Sequence, residues 1–407
     1  FISNDDFFSK VCSYAEKMEA PFSIKSPNHS NSRDPNRHLQ IGFVSGDFRE
    51  HSVAFFLLPL LTSLKTYPDL TLHAYYTHNI NDAITKDFEK IFNLWNRVKH
   101  ISDQQLADKI IEDKIDILFD LSNHTAFNRL PVFARKPAPV QITAIGTGET
   151  TGLTSMDYNF GPTDRFLEKH YTECCVRLPS YCPYKPFSDM PAVNKLPALD
   201  NNFITFGSFN RVPRINRSTI ALWSRLLRKI PSAKFLFGGQ SNETIQNKFK
   251  KWFNDEEIEL GRVTFLPTMS FNDYCYLHHK IDVHLVSFPY SGGTTISNAL
   301  WMGVPSLGLT NFEGASGGGN EIYNRIGLKD FLLDNEDNFI NKGVYLAKNL
   351  TELAEVRKNL REKFSTSEFC DSNAAAAYWE TALRRIWRRW CSGLAPEPFT
   401  LAKNDSK

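Results

Sequence analysis

The sequence predicts an α/β protein made of two Rossmann-like units of parallel sheet. Three observations carry this expectation. Short apolar runs alternate with amphipathic helical stretches along most of the chain. The alternation pauses once, between Leu178 and Asn202, where Pro179, Pro183, Pro186, Pro191 and Pro197 crowd together, and then restarts. At 407 residues the chain has material for two cores. Two such units are expected to face each other across a cleft, with ligands beyond the carboxyl ends of the strands.

Residues 1–37 read as an N-terminal approach segment, helical from Asp5 to Glu19 on the spacing of Phe7, Val11 and Tyr14, then polar from Ser26 to Arg37. The first unit spans 38–182. Its expected strands are Leu39–Ser45, Thr71–Thr77, Ile115–Leu121 and Val140–Ile145, and its helices Val53–Lys65, Asp82–Phe92 and Asp103–Glu112. Residues 183–202 are the Pro-rich linker. The second unit, 203–370, has expected strands at Phe203–Phe209, Ala233–Phe237, Val263–Leu266, Ile281–Val286 and Ser306–Leu309. Its helices are expected at Ser218–Lys229, Asn242–Phe253, Asn272–His279 and Leu350–Lys363. Residues 371–407 form a closing helix, Ala374–Trp390, and a tail.

A net charge of +2 gives no reason to expect nucleic acid or an anionic membrane as the main partner. No apolar run has the length of a membrane helix. The seven cysteines show no zinc-ligand spacing, and an odd number without a signal peptide points to free thiols in a reducing, cytoplasmic setting. The chain begins at Phe1 instead of Met, compatible with a longer protein.

The stretch with the most chemistry is Phe288-Pro289-Tyr290-Ser291-Gly292-Gly293-Thr294-Thr295, between a buried strand and a helix that Gly303 and Pro305 stop. Gly292 and Gly293 relax the backbone. Thr294 and Thr295 then open a helix whose free N–H groups and dipole suit a diphosphate. An ordinary β-to-α turn with a Thr cap is the plain alternative. His51, just past the first strand, and His124, past Asp120, lie at strand ends of one sheet, where a histidine can transfer a proton or hydrogen-bond a polarised group. A lone histidine in such a place is more often an ordinary surface or cap residue. Arg214, after the first strand of the second unit, is a fixed cation able to neutralise a leaving phosphate, or else a solvated loop arginine. Gly314–Gly319 looks like a phosphate loop without a complete motif, or a lid or linker. The basic run Arg384–Trp390 reads as a solvated face over a tryptophan stripe, in preference to a nucleic-acid surface.

Taken together these residues resemble the catalytic region of the O-GlcNAc transferase family, above all its SPINDLY-like branch and bacterial relatives. The likeness runs from about Leu39 to Gly393. Its markers are Ile41–Phe48 with His51-Ser52-Val53, Lys114–Leu118 with Asn123-His124-Thr125, Arg129-Leu130-Pro131 and Arg135–Gln141. Thr150–Leu153 with Met156-Asp157-Tyr158, Phe206–Asn210, and the Gly-rich stretch with Trp301–Pro305 complete the set. The resemblance implies a metal-independent, inverting glycosyltransferase of GT-B type, needing no cofactor, that moves a sugar from a nucleotide diphosphate to Ser or Thr of a protein. N-acetylglucosamine from UDP is the default donor, and GDP-fucose, used by SPINDLY-type relatives, stays open. A relative that binds a nucleotide or protein segment without transfer is the alternative from another class.

By motif position the resemblance makes His51 the active-site histidine and Thr294 and Thr295 the diphosphate binders. Arg214 falls where relatives carry a lysine that steadies the leaving group. His124, Asn210, Gly292, Gly293 and Asn298 fall among the substrate- and nucleotide-binding positions, Asn298 where relatives have a carboxylate for the ribose. Family members often carry tetratricopeptide repeats upstream, which hold the acceptor. No metal ligand set and no nucleic-acid partner are implied.

Overall fold

The computed structural model describes residues 3–22, 29–162, 168–187, 190–310 and 318–405. The chain divides into two compact units, one of residues 1–187 with 371–407, the other of residues 188–370.

The first unit holds a sheet whose strands in chain order are β1 (Leu39–Ser45), β2 (Leu70–Tyr76), β3 (Leu94–Arg97), β4 (Ile117–Asp120), β5 (Val140–Ala144), β6 (Tyr158–Pro162) and β7 (Cys174–Leu178). The second holds β8 (Thr205–Ser208), β9 (Lys234–Phe237), β10 (Val263–Phe265), β11 (Val283–Leu285), β12 (Ser306–Leu309) and β13 (Leu332–Leu333). The last strand, β14 (Phe399–Thr400), returns to the first sheet beside β7. The spatial orders are β14-β7-β6-β5-β4-β1-β2-β3 and β10-β9-β8-β11-β12-β13. Every pairing is parallel. In both sheets the order reverses beside the first strand, between β1 and β4 and between β8 and β11. A reversal of this kind opens a crevice at the carboxyl ends of those two strands.

Parallel sheets need cover on both faces, so their strands are apolar throughout. In the first unit Phe43 stacks on Phe119 with centroids 5.0 Å apart, and Phe119 stacks on Trp379 of the closing helix Ser372–Cys391 at 5.0 Å. Of the two tryptophans in the basic run, Trp387 is core and Trp390 is half-buried under the Arg33 guanidinium, 4.9 Å from its ring centroid, while Trp379 earlier in the same helix is also core. The opposite face buries Val44, Leu118, Leu106 and Ile110, and Ala15 of the helix Asn4–Glu19 joins them. Glu19 on that helix accepts from the Ser155 amide at 2.8 Å, which ties the N-terminal segment to the unit.

The Pro-rich stretch is bonded on both sides of the unit boundary. The Lys185 amide donates to the Phe55 carbonyl at 2.9 Å in the first unit. In the second unit Arg357, 1% exposed, donates to the carbonyls of Asn194, Ile281 and His278 at 3.0 Å each. Asp282 accepts the amides of Ala198 and Thr205 at 2.8 and 2.7 Å. Among the described residues no helix is long and apolar enough to cross a membrane.

Candidate active site

In the second unit the crevice strands end in Ser208-Phe209-Asn210 and in Val286–Tyr290. The helix Gly293–Trp301 starts just beyond the second of these. Its N-cap is Gly292, and among the described residues no side chain caps it. The plain Thr-cap alternative is therefore corrected: Thr294 and Thr295 sit inside the first turn, leaving its amide donors directed past them. The far end closes on Gly303 at φ +75°, whose amide donates to the Leu300 carbonyl at 3.0 Å while Val304 donates to Ala299 at 2.8 Å.

The loop before the helix is pinned by Arg214 and by three residues that sequence reasoning did not single out, Asn216, Thr219 and Ser287. Asn216 Nδ2 and Thr219 Oγ1 both donate to the Phe288 carbonyl, at 2.8 and 3.1 Å. Ser287 Oγ donates to the Tyr290 carbonyl at 2.9 Å. Arg214 donates from its guanidinium to the Ser291 carbonyl, which sets the cation beside the glycines.

Asn210 is 2% exposed, and its Nδ2 donates to Ser208 Oγ at 3.2 Å. Its Oδ1 is buried without a partner among the described residues. A β-carbon on Gly292 would come 2.5 Å from that oxygen, so only glycine allows the two loops this approach. A buried acceptor left unmet costs about 1–3 kcal/mol, which a bound hydroxyl or amide would recover. The half-buried Gly293, Thr294 and Thr295 lie alongside. Asn298, one turn further on, is 4% exposed and donates to the Tyr274 hydroxyl at 3.4 Å.

In the first unit the crevice loops carry the two histidines. His51 sits between β1 and the helix Ala54–Leu64, with Nδ1 3.3 Å from Asp47 Oδ1 and 3.4 Å from the Val53 amide nitrogen. One nitrogen cannot both donate to the carboxylate and accept from the amide. The contact that the ring keeps follows its tautomer: protonated on Nδ1 it donates to Asp47, and unprotonated there it accepts from the Val53 amide. His124 has Nε2 3.1 Å from the Thr150 carbonyl, a contact in which the ring must donate. Burial lowers its pKa, with the Thr150 carbonyl opposing, and favours the neutral ring. Asp120, at the end of β4, is fully buried and raised to about 6 by burial. It accepts from Thr143 Oγ1 at 2.9 Å and from the Asn123 amide at 3.0 Å, fixing the turn that carries His124.

The structure thus sets Asn210 and Arg214 against the loop that leads into the helix start carrying Gly293, Thr294 and Thr295, with Asn298 one turn along that helix, and puts His51 and His124 on loops after neighbouring strands of the other unit. Of the glycine-rich segment, residues 314–317 lie outside the described residues. Asp47 carried a signal, four residues before His51. Asn216 and Thr219 carried none, because their partner is remote in sequence. Among the described residues no group of three or more His, Cys, Asp or Glu side chains is placed to hold a metal ion.

The chain is 34% identical over 383 residues to a probable UDP-N-acetylglucosamine–peptide N-acetylglucosaminyltransferase SPINDLY of Petunia hybrida, covering 90% of this chain and 40% of that protein. It is likewise 34% identical over 379 residues to the SPINDLY protein of Arabidopsis thaliana, at 90% and 41% coverage. The chain therefore spans about two fifths of the length of these relatives. Among solved structures it matches a mutant of the Thermobaculum terrenum O-GlcNAc transferase with a TM-score of 0.90 and 30% identity, covering 97% of this chain and 76% of the other. That match assigns the GT-B class of fold. A Rickettsia africae glycosyltransferase, at TM-score 0.52 and 12% identity over 87% of this chain and 99% of its own, shares the fold alone. The model of glycosyl transferase family 41 matches residues 16–172 and 192–378. With the family resemblance borne out over most of its length, the chain belongs to glycosyl transferase family 41.

Proposed function

We propose that the chain is an inverting protein O-glycosyltransferase that moves a sugar from a nucleotide diphosphate onto Ser or Thr. N-acetylglucosamine from UDP is the first donor to consider, being the one in the names of the SPINDLY relatives. The observation that carries this reading is the uncapped helix start at Gly292–Thr295, with the buried acceptor of Asn210 against it and the Arg214 cation held beside it. As the bond from the sugar C1 to the diphosphate breaks, negative charge grows on the leaving oxygens. Fixed amides and a guanidinium stabilise that charge without reorganising. The acceptor hydroxyl forms the new bond at C1 and releases a proton, and His51, whose ring lies against Asp47, is assigned to take it. No metal enters this scheme, and a cytoplasmic setting suits seven free cysteines.

One observation favours a second reading, a module that binds a nucleotide without transfer. Arg214 already spends a donor on the Ser291 carbonyl, and Asn298 spends one on Tyr274. Incubation with UDP- and GDP-sugars and a mixture of acceptor proteins, followed by mass spectrometry, separates the two. Added sugar mass that disappears in His51→Ala supports transfer. Nucleotide binding by calorimetry with no added mass on any protein establishes the second reading.

A further inference from the structure

Phe127 sits in the loop after β4 with φ +64°, in the left-handed region that Gly and Asn occupy at little cost and a residue with a bulky side chain does not. The residue is also 44% exposed. The conformation is enforced from below. Thr77 Oγ1 donates to the Phe127 carbonyl at 2.7 Å, and a β-carbon on Gly46 would lie 2.6 Å from Phe127 Cβ. These contacts place the ring over the carboxyl ends of β1, β2 and β4, the edge where such sheets take ligands. A strained backbone that holds an apolar ring out in water gains nothing for the fold, and strain of this kind gathers at binding sites.

The surroundings say what would rest there. The His78 ring stands edge-on to Phe127, centroids 4.1 Å apart at 72°. Its Nδ1 accepts from the amides of Asn79 and Ile80 at 2.9 and 3.1 Å, which fixes the ring proton on Nε2 as an outward donor. Ile80 is 38% exposed beside it. Lys99 is exposed and, among the described residues, has no ion pair, whereas Arg49 is 3.7 Å from Asp47. Burial, with Arg49 and Lys99 acting as nearby charges, holds the His78 pKa below its ordinary value and keeps the ring neutral.

We propose that Phe127, with Ile80 and His78, is the platform on which the acceptor polypeptide rests, and that it favours a segment in which an apolar residue is followed by an acidic one. The apolar side chain lies on the two exposed apolar groups, the peptide carbonyl takes the His78 donor, and the carboxylate answers Lys99. This rests on the acceptor being a protein.

The test uses the full chain and two labelled synthetic peptides of equal length, each with one Thr. One has Val-Asp pairs around the Thr and the other Val-Lys pairs, and binding is read by fluorescence anisotropy. The unaltered chain is expected to prefer the Val-Asp peptide, and Phe127→Asn to weaken that binding about tenfold. Because Asn accepts the left-handed conformation, the same variant should melt at the same temperature or higher and bind UDP unchanged. Lys99→Glu should reverse the preference between the peptides. Equal peptide binding by Phe127→Asn, no preference in the unaltered chain, or a fall of several degrees in Tm would each overturn the platform. Sugar transfer that Phe127→Asn leaves intact removes the platform and keeps the transferase. Peptide binding lost in Phe127→Asn, in a chain that transfers no sugar, does the reverse.

Discussion

A β-carbon on Gly292 would lie 2.5 Å from Asn210 Oδ1, whereas one on the adjacent Gly293 would meet nothing within 4 Å. The two glycines therefore answer different demands. Gly292 allows two loops of the second unit to touch, and Gly293 borders open space at a helix start. Gly292→Ala must push Asn210 aside, an overpacking that costs about 1–3 kcal/mol, and a lowered Tm is expected. Gly293→Ala should gain about 0.5–1 kcal/mol, since alanine is the better helix residue. If a diphosphate fills that space, the added methyl group enters it, and UDP affinity by calorimetry should fall about tenfold or more while Tm rises. A Gly293→Ala protein that binds UDP as tightly as the parent would move the phosphates off this helix.

Arg214 offers a sharper separation of binding from chemistry. Its guanidinium holds the Ser291 carbonyl, so it could act on the loop, on the leaving group, or on both. A role confined to the loop is uniform binding, whose loss raises KM and leaves kcat alone. Loss of a group that stabilises the leaving diphosphate in the transition state lowers kcat. Arg214→Met is expected to lower kcat about 100-fold or more, the scale of losing one fixed donor to developing charge. Arg214→Lys keeps the charge and should retain more of the rate than Met does, although a lysine cannot reproduce the forked contact. Steady-state kinetics showing only a raised KM in Arg214→Met would make the residue a loop clamp.

How much of this was legible in the sequence depended on how local the cause was. The strand Leu39–Ser45, the helix Asp103–Glu112 and the strand Ser306–Leu309 were read to the residue, because apolar period and capping residues lie within each segment. The strand β3 was missed: Leu94 is exposed, and an edge strand of four residues shows no apolar alternation. The strand β6 runs into Gly161-Pro162, which reads as a break, and β14 exists only because the far end of the chain returns to β7. The site divides the same way. The glycines and threonines announce a helix start, but the contact of Asn210 with Gly292 joins loops remote in sequence. The resemblance placed Asn298 at a ribose position, and only the coordinates reveal its bond to Tyr274.

The last prediction concerns the core behind the crevice, where His278 and His284 flank Phe209 with ring centroids 4.8 and 6.2 Å away. Both are fully buried, and Nε2 of each has no partner among the described residues. His284 keeps one contact, Nδ1 to Ser306 Oγ at 2.9 Å. Burial holds each pKa at about 3, below the ordinary 6.5. Between those values the unfolded chain takes a proton that the folded chain refuses, so stability falls as pH falls through that window. Asp282 works in the opposite sense. Burial raises it to about 6, so its contribution is present at low pH and lost as pH rises. Two histidines against one carboxyl leave the second unit acid-sensitive. His284→Asn keeps a polar atom for Ser306 and removes one titrating ring. It should cost stability at pH 7, and urea unfolding at pH 7, 6 and 5 should then show the deficit shrinking by about 1.4 kcal/mol for each unit of acidification below pH 6.5. A deficit that stays constant across that series would mean His284 takes up its proton in the folded protein as readily as in the unfolded one.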